Sequence, residues 1–79
     1  MSEIFVDIEE MSPEGIGDSL WLDQDLKLRI YENMKRFGGV FVKTLAELII
    51  RADKQNLARI AQVFSDYLKQ YRPQAWRNR

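Results

Sequence analysis

The chain contains no cysteine and no histidine. The first absence rules out disulfides and thiolate metal sites. The second removes the commonest general base near neutral pH and the commonest metal ligand. No Lys or Arg occurs before Lys27. The opening MSEIFVDIEE is therefore acidic. It lacks the basic start and the apolar stretch of roughly 7–15 residues that mark a secretory signal. No run approaches the roughly 20 apolar residues of a membrane span. The longest candidate, Val40 to Ile50, is interrupted by Lys43, Thr44 and Glu47. These absences lead to the expectation of a soluble protein of the cytoplasm.

The same absences bear on catalysis. Without His or Cys, a catalyst would rest on carboxylates, Lys, Tyr or Ser. The acidic pairs Glu9–Glu10 and Asp23–Asp25 stand in solvated or helix-start contexts. Ser19 and Ser65 have no base near them in the sequence. The glycines of GIG and GG lack the strand–turn–helix setting of a phosphate-binding loop, and DQD alone lacks the spacing of a calcium loop. No enzyme active site, metal centre or cofactor is expected.

What is present is a globular composition: 79 residues, 46% hydrophobic and 30% charged, with zero formal net charge. The charge is sorted along the chain. Residues 1–25 hold eight acids and no base, a balance of −8. The remainder holds all twelve bases against Glu32, Glu47, Asp53 and Asp66, a balance of +8. Such sorting suggests an acidic arm and a basic body. Residues 1–19 read as that arm, with Ile4, Phe5, Val6 and Ile8 as a short strand-like run and Pro13, Gly15 and Gly17 as breakers.

Three helices follow. The first is expected over 24–37, capped by Asp23, with Leu26, Ile30, Met34 and Phe37 as its buried stripe. A start at Asp18 or Ser19 would add Leu20, Trp21 and Leu22. Gly38 is expected to end this helix in a left-handed conformation, and Gly39 to redirect the chain. The second helix, 40–52, is apolar over roughly 200° of its circumference. Such a helix needs cover on two sides and is expected to be central. Glu47 and Arg51 form an i,i+4 pair on its polar strip. The third helix begins after the cap Asp53 and carries Leu57, Ile60, Ala61, Phe64, Leu68 and Tyr71 on one face. Pro73 ends it. The fold class is thus all-α: a three-helix bundle over 20–72, an acidic arm over 1–19 and a basic tail over 73–79. Leu45, Leu48, Ile49, Leu57, Ile60, Phe64 and Leu68 are its expected core.

Two binding modes suit this layout. The acids of the arm and first cap — Glu3, Asp7, Glu9, Glu10, Glu14, Asp18, Asp23 and Asp25 — can dock on a basic partner surface, on the chain's own basic body or on a neighbouring copy. Trp21 and Trp76 lie outside the helical stripes. Each either folds back on the core or serves as an exposed aromatic anchor, a residue type enriched at interface hot spots. The alternative is nucleic-acid contact through the third helix and the tail, with Arg59, Arg72, Arg77 and Arg79 on phosphates and Tyr71 and Trp76 stacking on bases. The segment LAELIIRADKQNLARIAQVF matches a helix-turn-helix poorly, because its turn lacks the usual glycine.

Residues 37–71 carry a pattern of Gly38, Gly39, Phe41, Val42, Leu45, Ala46, Ala52, Asp53, Asn56, Phe64, Tyr67 and Tyr71. In this the chain resembles a group of small helical proteins of bacteriophages and prophages that have no assigned activity. The resemblance covers under half of the chain and transfers no site residues. It implies a viral or prophage origin, a location in the bacterial cytoplasm, and action by binding a host protein or complex. Inhibition of a CRISPR or restriction system is the most specific form of that implication. Self-association of so small a domain is a further option.

Overall fold

A computed structural model describes residues 8–73, and among these the chain is all-helical. A 3-10 turn, Ile8–Glu10, precedes four helices: α1 Pro13–Leu22, α2 Gln24–Phe37, α3 Val40–Arg51 and α4 Lys54–Gln70. The expectation of three helices is corrected by α1, which occupies much of the segment read as an arm. Its local logic is plain in retrospect. Ser12 is the N-cap, and its Oγ accepts a hydrogen bond from the Gly15 amide at 3.1 Å. Pro13 takes the first helical position, where a missing N–H costs nothing. Glu14 lies in the positively polarised first turn.

Gly17 is a packing device, not a breaker. A Cβ there would lie 3.2 Å from the Ala58 Cα and 3.4 Å from the Ala61 Cβ, so its bare backbone lets α1 close against α4. Asp23 joins α1 to α2. Its amide donates to the Ser19 carbonyl at 2.8 Å, and its Oδ1 accepts from the Leu26 amide at 3.1 Å. The two starts considered for the first expected helix are therefore two helices: Leu20, Trp21 and Leu22 belong to α1, and α2 begins at Gln24. Asp53 caps α4 as expected, with Oδ1 accepting from the Asn56 amide at 2.8 Å.

The helices associate chiefly as two pairs, α1 along α4 and α2 along α3. Ile16, Leu20, Ile30, Met34, Leu45, Ile49, Leu57 and Leu68 fill the space between them and have almost no exposed surface. Each of these side chains contributes roughly 1.5–3 kcal/mol by leaving water. Ile8, read as part of a strand-like run, is buried with them from its 3-10 turn.

The arrangement overturns the centrality of α3. Because α1 covers α4, α3 is sealed along one arc only, by Val42, Leu45, Ala46 and Ile49. Leu48, an expected core residue, is 54% exposed, as is Phe41. Ile60 and Phe64 are half-buried, and Phe37, expected on the buried stripe of α2, is 68% exposed.

The Gly38 expectation is also corrected. No described glycine has a positive φ, and Gly38 is extended at φ −89° and ψ 161°. Glycine is needed there for room. A Cβ would sit 2.6 Å from the Val42 Cβ and 2.7 Å from the Met34 carbonyl oxygen. Gly39, the N-cap of α3, faces open space and supplies no side-chain cap. Finally, α4 bends: Phe64 leaves the helical region at φ −117° and ψ 29°. The bend falls where its ring packs against Phe41 and Tyr67, at centroid distances of 5.8 and 6.1 Å.

Candidate interaction surface

The eight acids put forward as a binding surface have different fates. Glu3 and Asp7 lie outside the described residues, and of Glu9 only the backbone of the 3-10 turn is described. Asp23 is half-buried and committed to capping α2. Asp25 is exposed but paired with Arg29, whose Nε lies 2.8 Å from its Oδ2. That pairing raises the Arg29 pKa, first through the hydrogen bond to Asp25 and then through its charge. Glu10, Glu14 and Asp18 remain. All three are exposed, and none has an ion-pair partner among the described residues.

Glu14 and Asp18 are one turn apart, roughly 6 Å, on the outward side of α1. Trp21 and Leu22 complete that outward side. Leu22 is 80% exposed, and Trp21 is 36% exposed. Trp21 is thus neither a core residue nor a free anchor. The Lys27 ammonium lies 5.9 Å from its ring centroid, a cation–π contact that gives the ring one fixed neighbour. The Lys27 stem itself is buried. The outcome is a face with negative charge at one end and an aliphatic and aromatic end at the other. The eight acids are legible in the sequence only as one set. Their separation into capping, paired and unpaired groups depends on which helix each begins or faces.

Of the four arginines of the cationic alternative, two are described, and they lie apart. Arg59 is exposed on α4. Arg72 is half-buried past the end of α4, and its Nη1 donates to the Lys69 carbonyl at 2.6 Å. The two stand thirteen positions apart along the chain, on opposite sides of the bend at Phe64. Trp76, Arg77 and Arg79 lie outside the described residues.

A polar junction missed in the sequence ties α2 to α3. Glu47 was read only as the partner of Arg51, and that contact is long, at 3.6 Å. Its stronger bonds cross between helices: Lys35 Nζ donates at 2.7 Å and the Tyr31 hydroxyl at 3.1 Å. These donors, Lys35 before Tyr31, hold the Glu47 carboxyl below its usual pKa, and the same hydrogen bond raises that of Lys35. Nothing in the local pattern signals a bond between residues twelve apart. Asn33 similarly donates to the Tyr71 carbonyl at 2.9 Å, fastening α2 to the end of α4. This junction is structural in character.

Among the described residues no group of three or more carboxylates is placed to hold a metal ion, and no helix is long and apolar enough to cross a membrane. No protein-family model, curated protein or solved structure matches the chain.

Proposed function

We propose that this chain is a non-enzymatic binding protein whose α1 face docks on a basic surface of a partner protein. The observation that carries the reading is the pair Glu14 and Asp18. They are exposed, one turn apart and without an ion-pair partner among the described residues, beside an exposed Leu22 and a half-presented Trp21. Like charges at this spacing cost a helix roughly 0.2–0.5 kcal/mol. A partner that supplies Lys and Arg recovers that cost and gains the burial of the aromatic end. A row of carboxylates also competes for Lys and Arg clusters that otherwise hold phosphates. In its finest form the proposal is a phage-encoded inhibitor of a host defence complex, a form supported only by the resemblance of residues 37–71.

The test is affinity capture from a nuclease-treated bacterial lysate at rising salt. The intact chain is expected to retain a stoichiometric protein that salt releases. The triple variant Glu10→Gln, Glu14→Gln, Asp18→Asn is expected to lose it. Equal recovery by the two chains, with the same salt dependence, removes the acidic face from the account. A mobility shift with DNA or RNA that survives moderate salt would instead favour the cationic alternative.

A further inference from the structure

Five residues of α4 — Asn56, Arg59, Val63, Asp66 and Gln70 — are all exposed. They alternate in steps of three and four, the spacing of a helix–helix seam, and the bend at Phe64, beside the central Val63, divides the stripe into two helical arms. Their chemistry is symmetric about the centre: amide, charge, apolar residue, opposite charge, amide. Val63 is 70% exposed. Arg59 and Asp66 have no ion-pair partner among the described residues. Toward α3 the stripe is flanked by an incompletely covered apolar surface. Phe64 and Tyr67 are half-buried there, and Phe41, with its ring 5.8 and 5.5 Å from theirs, is half exposed. Leu48 lies two turns along α3 on the same side as Phe41.

We propose that this face binds a second copy of the chain, with the two α4 helices antiparallel about a two-fold axis at Val63. An interface of that symmetry must be complementary to itself, and this stripe is. The axis sets Val63 against the partner's Val63 and Asn56 opposite the partner's Gln70. It also brings Arg59 within one residue of the partner's Asp66, and the same pair recurs on the other side of the axis. The chain has zero net charge, so two copies approach without long-range repulsion. The 17 residues of α4, bent at Phe64, extend at most about 25 Å, and with the α3 flank the face is two helices wide, or about 20 Å. That offers about 500 Å² per protomer, near the lower bound for a specific interface. An interface this small belongs with weak, reversible contacts, and a dissociation constant on the order of micromolar is the expectation to be tested.

Sedimentation of the full chain from about 1 to about 500 μM, concentrations that bracket such an affinity, reads the association. The intact chain moves from the 9.4 kDa of one chain toward twice that mass. Arg59→Glu alone and Asp66→Lys alone each place like charges together twice across the axis. Each weakens association at least about tenfold. An equimolar mixture of the two variants pairs opposite charges at both positions and restores it. Both sites are exposed, so circular dichroism is expected to report unchanged helix content in each variant. A wild-type chain that stays monomeric throughout overturns the proposal. So does a mixture no better associated than its components, or dimerisation that neither variant weakens.

Discussion

The twin glycines offer the sharpest test of the fold, because adjacent identical residues are expected to respond with opposite signs. An alanine at position 38 places its Cβ 2.6 Å from the Val42 Cβ and 2.7 Å from the Met34 carbonyl oxygen. Neither neighbour is the loose end of a flexible side chain. Val42 is β-branched, stiff at χ1 and buried, and the oxygen belongs to the last turn of α2. Relief therefore requires α2 and α3 to move apart. Overpacking of this kind costs about 1–3 kcal/mol. The narrower unfolded ensemble of alanine returns about 0.4–1 kcal/mol. The net loss is on the order of 1–2 kcal/mol, or a Tm decrease of roughly 5–15 °C for a domain of this size. At position 39 nothing lies within 4 Å of the same atom. Gly39→Asp supplies α3 with a side-chain cap and a negative charge at its N-terminus, and gains a few tenths to about 1 kcal/mol. Thermal and urea unfolding followed at the helical circular-dichroism band measure both. If Gly38→Ala is neutral or stabilising, the close approach of α2 and α3 is wrong.

Further expectations follow from the same packing. Gly15→Ala meets only ordinary contacts, at 3.5 Å or more, and gains about 0.5–1 kcal/mol if α1 is a helix; a loss in urea unfolding would argue for an irregular arm. Leu45→Ala, in the core, costs about 2–5 kcal/mol, whereas Leu48→Ala stays under about 1 kcal/mol in monomer unfolding at low concentration. Glu47 has a lowered folded pKa, so its contribution is present above its ordinary value of 4.5 and fades as pH falls through the folded value. Lys35 has a raised folded pKa, so its share is complete below 10.5 and fades only as pH rises through the folded value. The Tm gap between the intact chain and Glu47→Gln is thus expected to be steady near neutrality and to close in acid. A gap that widens in acid contradicts the Lys35–Glu47 bond.

The surface proposed for binding was partly readable. That acids crowd the first 25 residues is visible in the string, and so is the absence of any counter-charge before Lys27. Which acids remain available is not. Asp23 and Asp25 look no different from Asp18 until helix boundaries assign the first to a cap and the second to Arg29. Leu22 and Trp21 became part of that face only because α1 exists and turns Ile16 and Leu20 inward.

Local chemistry alone determined α2, α3 and α4 to within a residue or two. Asp23 and Asp53 satisfy amides three residues away, and apolar periodicity marks the inward stripes, so both signals act within a few turns of chain. The Ser12–Pro13–Glu14 start of α1 is equally local, but Pro13, Gly15 and Gly17 together carry the composition of a breaker, and only the packing of Gly17 on α4 shows otherwise. The choice of partners belonged to the tertiary structure. Apolar side chains such as Leu45 and Leu48 are chemically identical, and only the pairing of α1 with α4 decides that one is sealed and the other left in water. Gly38 follows the same rule: its absence of a side chain answers to Val42 and Met34 across a helix junction, a distance constraint that no backbone preference of glycine encodes.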